Sequence, residues 1–362
     1  MGNWITAELG DFVTFKRGFD LPQQKREDGQ VPIFSSSGVT GTHSGAMVKA
    51  PGVITGRYGT IGEVFYAAED FWPLNTTLFV EDFHGNDEKF VYYFLKTLEW
   101  SKFTSASAVP GINRNTVHRE IVSMPDIETQ KRIASTLSML DEKIKTNTEI
   151  NDHLEQQAAA LFSNLYARSN TEVRFTDFVQ ILGGGTPKTG ESTYWNGNIA
   201  FFTPKDVGTP YTLITEKTIT EEGLSHCNSR LYPVNTVFVT ARGTVGKVGM
   251  SGIPMAMNQS CYALVGKAMH QLLVYFYTLK AVERLKHKAS GAVFDAITTR
   301  DFESEQIMKL SDDDAKTFLC IAEPMFQEIL NNSIENLRLS ALRDALLPKL
   351  MSGEIDVSDV QL

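Results

Sequence analysis

Cysteine and long apolar runs are scarce in this sequence of 362 residues. The spacing of Cys227, Cys261 and Cys320 fits neither a zinc motif nor a disulfide framework. No apolar run approaches the ~20 residues that a membrane-spanning helix requires, and the N-terminus lacks the basic and apolar regions of a secretory signal. We therefore expect a cytoplasmic protein with reduced thiols and no membrane partner.

Familiar catalytic signatures are missing as well. The sequence has no G-x-G-x-x-G after a strand, no H-E-x-x-H, no G-x-S-x-G and no protein-kinase set. It also lacks the Asn or Asp followed by Pro-Pro and an aromatic residue that would suggest an amino-methyltransferase. Its seven histidines are scattered, and no spacing singles out a pair of carboxylates. We therefore predict no catalytic residue, no metal site and no cofactor in this chain.

One glycine-rich stretch resembles a phosphate-binding loop without matching it. Gly185–Ser192 reads GTPKTGES, which has both glycines and the serine of that loop. Glu191 stands where the lysine must be, and its carboxylate would repel the phosphates. No obvious helix follows, so we do not expect a nucleotide site here.

The formal net charge of -9 argues at first against nucleic acid. The negative charge is concentrated in the C-terminal segment, whereas the segment 172–309 is slightly basic. Net charge describes non-specific attraction and does not exclude a locally basic binding face.

The two halves of the chain repeat each other at a spacing of about 185 residues. Gly59-Thr60-Ile61-Gly62 returns as Gly243-Thr244-Val245-Gly246, and a helix near Glu88–Glu99 corresponds to one near Gln271–Lys286. Short β-rich runs separated by turn residues surround these helices. The runs are Val31–Phe34, Val53–Thr55, Phe79–Val80, Ala200–Thr203 and Val237–Thr240. This pattern predicts an α+β fold with two mixed α/β domains related by the repeat.

Each half ends in a heptad pattern whose apolar positions alternate in steps of 4 and 3. Asparagines occupy the same two seam positions in both copies, and we expect them to fix the register. Arg343 is a misfit, and Pro324 is expected to kink or start its helix. The first seam comprises Ile133, Leu137, Leu140, Ile144, Asn147, Asn151, Leu154, Ala158, Leu161 and Leu165. The second comprises Phe318, Ala322, Met325, Ile329, Asn332, Asn336, Leu339, Arg343, Leu346 and Leu350.

These patterns predict two globular domains separated by two long helices that form an antiparallel coiled coil. Helices of about 40 residues would each span roughly 60 Å, and their narrow apolar stripes favour mutual pairing. The alternative is that each helix packs on its own globular domain. The predicted boundaries are 1–123 and 171–310 for the domains, and 124–170 and 311–362 for the helices.

The loops of both halves are rich in side chains suited to DNA. Phosphates are held by Lys, Arg, Ser and Thr, and base edges are contacted by Arg, Lys, Asn, Gln and Ser. For any one of these residues, an ordinary hairpin turn with a solvated arginine is an equally good explanation. Both copies place a basic or aromatic residue directly before Gly-Thr, which favours the functional interpretation. The candidates in the first half are Lys16, Arg17, Ser35, Ser36, Ser37, His43, Arg57, Tyr58, Thr60, Asn75 and Arg114. Those in the second half are Lys188, Thr189, Lys205, Arg242, Thr244, Lys247, Asn258, Gln259 and Arg300.

Three groups of residues carry a resemblance to a known family across essentially the whole chain. The first is Gly184-Gly185-Thr186-Pro187 with Tyr194-Trp195-Asn196-Gly197 and Thr203-Pro204-Lys205-Asp206. The second is Met124-Pro125 with Gln130-Lys131-Arg132-Ile133 and Leu140-Asp141, and the third is the ending Leu350-Met351-Ser352-Gly353-Glu354-Ile355. With these marks the chain resembles the specificity (S) subunit of type I restriction–modification systems.

The resemblance implies that each globular part is a target-recognition domain for one half of a split, asymmetric double-stranded DNA site. It implies that the paired helices set the distance between the half-sites and dock two methyltransferase (M) subunits, and that a restriction (R) subunit can join. The chain would be non-catalytic, with S-adenosylmethionine bound by M and ATP by R. Gly18–Pro22 and Pro32–Gly38 depart from the pattern of the second domain, which suggests two different half-site specificities.

Two other classes of function stay open at this stage. One is a DNA-acting enzyme with an unrecognised site, and the other is a protein scaffold that binds no DNA.

Overall fold

The computed structural model describes residues 3–104, 110–208, 210–288 and 296–360. The chain forms two compact units. Unit 1 comprises Met1–Ile144 and Arg338–Leu362, and unit 2 comprises Lys145–Leu337. Two long helices, α4 (Ile127–Arg168) and α9 (Asp312–Met351), contribute residues to both units.

Unit 1 is built from mainly antiparallel strands, with one parallel pair and with short helices beside the sheets. One sheet has the strand order β2-β8-β5-β6, a second has the order β4-β3-β7, and β1 pairs with β9. Its strands are β1 (Trp4–Glu8), β2 (Thr14–Arg17), β3 (Val31–Ser35), β4 (Gly38–His43), β5 (Gly52–Gly56), β6 (Val64–Ala67), β7 (Trp72–Pro73), β8 (Thr77–Asp82) and β9 (Ile121–Pro125). Its short helices are α1 (Leu9–Phe12), α2 (Glu88–Lys96) and α3 (Arg114–His118), with 3-10 turns at Gln23–Lys25, Trp100–Phe103 and Val357–Asp359.

Local sequence explains the central elements of unit 1. The strand β5 reads GVITG and is buried along its whole length, as expected for an inner strand. The helix α2 begins after Asp87, whose carboxylate accepts a hydrogen bond from the Phe90 backbone N–H at 2.8 Å. Phe90, Val91 and Leu95 on its inner face are fully buried, so the helix covers the sheet.

Unit 2 repeats this plan with a larger sheet. One sheet has the order β11-β18-β15-β16-β13, a second has the order β14-β12-β17, and β10 pairs with β19. Its strands are β10 (Thr171–Arg174), β11 (Val179–Gly183), β12 (Trp195–Phe202), β13 (Tyr211–Thr212), β14 (Lys217–Ile219), β15 (Val237–Thr240), β16 (Val248–Ser251), β17 (Met255–Met257), β18 (Cys261–Gly266) and β19 (Gln306–Lys309). Its short helices are α5 (Phe175–Phe178), α6 (Glu221–Ser225), α7 (Gln271–Lys288) and α8 (Thr299–Ser304), with a 3-10 turn at Ser192–Tyr194. The predicted α+β fold and internal repeat are confirmed.

The two long helices contact each other antiparallel within unit 1. Arg343 donates to the Asp141 carboxylate at 2.6 Å. The charged residue that interrupts the heptad pattern therefore forms an ion pair across the two helices. Ile133 and Leu137 of α4 lie in the same apolar core as Leu350 of α9.

The same two helices pair antiparallel in unit 2 through their asparagines. Asn147 is only 1% exposed, and its Nδ2 donates to Glu335 at 2.7 Å and to Asn336 at 2.9 Å. Asn332 donates to the Oδ1 of Asn151 at 3.0 Å. The asparagines of the seam therefore bond to one another across the helices, as expected for residues that fix the register.

In unit 2 the long helices pack on the globular part as well as on each other. Both arrangements considered from the sequence, mutual pairing and packing on the domain, are therefore present. Phe162, next to the predicted seam residue Leu161, is 1% exposed. Its ring lies 5.0 Å from that of Phe276 in α7 and 5.3 Å from that of Phe318 in α9. Pro324 lies inside α9, which begins at Asp312, so the prediction that Pro324 could start this helix is wrong.

Within the described residues, none of the helices combines the length and the apolar character that crossing a membrane requires.

Candidate nucleic-acid interface

The turn between β5 and β6 carries the first set of predicted contacts. Gly59 and Gly62 have φ values of 79° and 87°, a region that glycine adopts without strain. Ser36 lies against this turn, since a Cβ at Gly59 would be 3.1 Å from its Oγ. Thr60 is exposed at the tip. The two glycines therefore shape a tight turn that presents its flanking side chains.

Arg57 and Tyr58 are held firmly at the start of this turn. Their backbone N–H groups donate to the carbonyl of Thr76 at 2.8 and 3.2 Å. The Arg57 guanidinium lies 4.5 Å from the centre of the Tyr58 ring and its Nε donates to the Ile112 carbonyl at 3.4 Å. A Cβ at Gly111 would come within 2.1 Å of the Tyr58 ring, so this glycine is required for the ring to pack.

Three arginines meet at an open cleft beside that turn. Arg17 at the end of β2, Arg57 and Arg114 at the start of α3 all line a cavity of about 450 Å³. Arg17 has an exposed ion pair with Asp20 at 3.7 Å, and Asp20 also accepts a hydrogen bond from Asn75. The geometry thus gathers four predicted contacts, which are Arg17, Arg57, Tyr58 and Arg114.

Two predicted contacts of the first half lie elsewhere. Lys16 forms an ion pair with Glu81 at 2.5 Å. His43 is buried: its Nδ1 accepts a hydrogen bond from the Glu27 backbone N–H at 3.0 Å, and its ring packs edge-on against Trp72. The structure therefore gives His43 a packing environment with little free surface.

The turn between β15 and β16 repeats the geometry of the first turn. Gly243 and Gly246 have φ values of 82° and 74°. The backbone N–H groups of Ala241 and Arg242 donate to the Ser260 carbonyl at 2.8 and 3.3 Å, as Arg57 and Tyr58 do to Thr76. Arg242 forms an isolated antiparallel β-bridge with Ala296, as Tyr58 does with Gly111. Arg242 therefore occupies the place of Tyr58.

Four of the remaining candidates in the second half form hydrogen bonds or an ion pair with other residues of the chain. The Thr244 hydroxyl donates to the Pro204 carbonyl at 3.2 Å, Lys205 pairs with Glu216 at 3.3 Å, and Gln259 accepts from Thr186. Asn258 accepts from the Ser260 backbone N–H at 3.0 Å. Asn258 is half-buried, and the exposed candidates are Lys188, Thr189, Lys205, Arg242, Thr244, Lys247, Gln259 and Arg300.

The stretch that resembled a phosphate loop is a folded entrance to unit 2. After β11 the chain continues through a 3-10 turn into β12, and no helix follows the glycines. The Trp195 ring packs edge-on against Phe201 at 5.5 Å, and Tyr194 stacks on His226 at 4.9 Å. A Cβ at Gly184 would lie 2.2 Å from the Asn258 carbonyl oxygen. These aromatic residues pack the fold.

Motif searching in the sequence did not find Gly111, Ile112 and Asn113, which complete the arginine cleft. The one available signal was the asparagine cap before a short helix, since Asn113 accepts from the Asn115 backbone N–H at 3.0 Å. No group of His, Cys, Asp or Glu suited to a metal ion is found among the residues that the structure describes.

Two copies of one mixed α/β module, each with a glycine-shaped turn and each continuing into a long helix, define a class of proteins built from an internal repeat. The model of the family "Type I restriction modification DNA specificity domain" matches residues 1–156 and 168–309. The chain belongs to this family.

Curated relatives agree with that assignment, and a solved structure has a similar fold. The chain is 24% identical over 345 residues to the Type I restriction enzyme HindI specificity subunit of Haemophilus influenzae, covering 72% of this chain and 75% of the relative. It is 23% identical over 306 residues to the MjaIX specificity subunit of Methanocaldococcus jannaschii, covering 76% and 71%. The type I S subunit from M. genitalium has the same fold, with a TM-score of 0.68, 17% identity and 96% of each chain covered.

Proposed function

We propose that this chain is the DNA-recognition subunit of a type I restriction–modification complex and that each half contacts one half of a bipartite, asymmetric site. The observation that carries the proposal is the repeated turn, which has one backbone geometry and different side chains. Arg57-Tyr58 in the first half corresponds to Ala241-Arg242 in the second. Because base edges are distinguished by the side chains presented to them, two such turns suit two different half-sites.

We assign the recognition domains to residues 1–123 and 171–310, with the predicted contacts of the two halves retained as candidates. The segments 124–170 and 311–362 would serve as the spacer and as docking surfaces for M subunits. Four large apolar side chains of the long helices support docking, since Met139, Ile150, Ile321 and Leu342 are between 41% and 51% exposed. A partner that covered these four side chains would remove their apolar surface from water, which favours association.

In this proposal the chain itself is non-catalytic, binds no cofactor and acts in the cytoplasm. Methyl transfer and any cleavage belong to the M and R subunits. Incubation of the purified chain with DNA, Mg²⁺ and S-adenosylmethionine should therefore leave the DNA unmodified, and methylation or cleavage by the chain alone would favour the enzyme alternative.

Methylome sequencing tests the central claim. DNA from cells that express the chain with its M partner should carry methylation at a bipartite motif with a non-specific gap. Exchange of residues 171–310 with those of a relative should change one half of the motif and leave the other half unchanged. A single continuous motif, or a change in both halves, would contradict the assignment of one half-site to each domain.

Binding measurements test the role of the partner. The acidic chain alone should bind duplex DNA weakly and more tightly once M is added, because M would supply further positive surface. Equal affinity with and without M would exclude that division.

A further inference from the structure

The two halves differ in charge at equivalent positions of the fold. The Ile112 backbone N–H donates to the Arg57 carbonyl at 3.0 Å, and the Ile297 N–H donates to the Ala241 carbonyl at 2.9 Å. Arg57 in the first half therefore corresponds to Ala241 in the second, which is only 3% exposed. No guanidinium can extend from that position in the second half.

The other two arginines of the cleft are replaced as well. Arg17 pairs with Leu78 across β2 and β8, and Gly183 pairs with Tyr262 across β11 and β18. The repeat aligns these two pairs, so Gly183 takes the place of Arg17.

The helices α3 and α8 supply the third comparison. Asn113 caps α3 and Thr298 caps α8, so Arg114 in the first position of α3 corresponds to Thr299 in α8. The three cationic positions of the first cleft are thus neutral in the second half, where Arg242 adds a single cation in the place of Tyr58.

The first cleft also holds its cations in place. Arg57 is fixed by the Tyr58 ring and by the Ile112 carbonyl, and Asn113, the residue before Arg114, caps its helix. Within the described part of the chain, Arg114 has no carboxylate partner, and the one ion pair of the cleft is the exposed contact between Arg17 and Asp20. Three guanidinium groups with a single exposed carboxylate partner leave positive charge at this open cavity, which is suited to phosphate oxygens.

We propose that the cleft formed by Arg17, Arg57 and Arg114 binds backbone phosphates of duplex DNA, and that the second half has no equivalent site. This inference rests on the proposed function and adds a division of labour to it. In addition to contacting its half-site, the first half would provide a sequence-independent electrostatic attachment, which the second half would lack.

Salt dependence of binding measures the number of phosphates that a protein neutralises. Each phosphate contact contributes about 0.9 to the slope of log K against log salt, which is about a 3.5-fold change in affinity between 50 and 200 mM. The slope of the double variant R17A/R114A should therefore be shallower by about 1.8. Between 50 and 200 mM salt, its affinity should fall by a factor about 12 times smaller than that of the wild type. Both side chains lie at the surface, so these substitutions should leave the fold intact, which thermal melting checks.

The test uses the full chain, a random-sequence duplex of about 30 base pairs and fluorescence anisotropy across that salt range. The charge-matched control is K102A/K131A, which removes two exposed cations of unit 1 that pair with Glu99 and Glu128. The control should keep the slope of the wild type, and R17K/R114K should keep most of it. A slope for R17A/R114A equal to that of the control would overturn the inference.

A reciprocal variant tests the asymmetry directly. A Cβ at Gly183 meets no atom within 4 Å and Thr299 is exposed, so G183R/T299R fits the second half without a clash. It should increase the slope, and an unchanged slope would count against phosphate binding at these positions. If the wild type binds no duplex even with M present, the proposed function fails instead. Inorganic phosphate should compete only weakly, and tight competition at micromolar concentration would assign the cleft to a free anion.

Discussion

The buried asparagine of the helix seam offers the sharpest test of the pairing between α4 and α9. In Asn147→Asp the amide that donates to Glu335 at 2.7 Å becomes a carboxylate oxygen. The lost hydrogen bond to a charged group is worth about 1.5–3 kcal/mol. Two unit charges 4 Å apart repel by about 4 kcal/mol at an effective dielectric constant of about 20.

These two contributions do not add in full, because a carboxyl can take up a proton instead. Protonation of an aspartate at pH 7 costs about 4 kcal/mol, which limits the repulsion. We expect Asn147→Asp to lower the free energy of unfolding by about 3–5 kcal/mol at pH 7, because it leaves a buried charge without compensation, as removal of one partner of a buried ion pair does.

Urea unfolding followed by far-UV circular dichroism measures this difference. The repulsion raises the pKa of one carboxyl in the folded variant above its unfolded value. The folded variant therefore binds more protons than the unfolded chain. As a result, the loss in free energy of unfolding relative to the wild type becomes smaller as the pH falls from 7 towards 4.

Asn164→Asp provides the matched control, since Asn164 is exposed on the same helix. Its free energy of unfolding should stay within about 0.5 kcal/mol of the wild type. If Asn147→Asp behaved like this control at pH 7, with an unchanged dependence on urea, Asn147 would not lie buried between the helices.

Three further outcomes follow from packing and ionisation. Phe162→Ala should lower the free energy of unfolding by about 3–5 kcal/mol, because it empties the contact between α4, α7 and α9, whereas Phe162→Leu should lose less; equal losses in calorimetry would contradict this. Burial and then Arg114 lower the pKa of His118, whose Nε2 accepts from the Phe15 backbone N–H at 2.9 Å. The unfolded chain therefore binds the proton more readily, so stability should fall as the pH drops through about 6.5, and His118→Gln should reduce that dependence; an unchanged pH profile would speak against it. Burial raises the pKa of the Cys261 thiol to about 12, so a disulfide reagent should modify the exposed Cys320 in the native chain and leave Cys261 unmodified until the protein unfolds.

Local patterns predicted the elements of this fold well. The run Val237–Thr240 is a strand with those bounds, and the helix expected near Gln271–Lys286 ends two residues later at Lys288. Alternation and helical periodicity report burial of neighbouring residues along the chain, so they are visible without the tertiary structure. The heptad residues Leu137 and Ile329 are fully buried for the same reason.

The candidate interface was only partly predictable. The glycines before and after Thr60 and Thr244 signalled turns, and both turns have the positive φ values that glycine permits. The cleft could not be predicted, because Arg17 and Arg114 are far apart in the sequence. The pairing of β2 with β8 and the β-bridge between Tyr58 and Gly111 bring them to the same cleft. The surroundings of His43 were not visible either: the sequence placed it among the candidate contacts, and in the structure Trp72 and the Glu27 backbone enclose it.

The sequence by itself determined that the chain is a repeat of two mixed modules with long heptad helices, and its motifs indicated the family. These properties follow from hydrophobic periodicity and from residues with restricted backbone conformations, which act over a few neighbouring positions. Only the tertiary structure decided that Asn147 bonds to Asn336, that Arg343 is an ion-pair partner of Asp141 and that three arginines share one cleft. Such contacts depend on the register between elements far apart in the chain, which is set by how complete side chains pack.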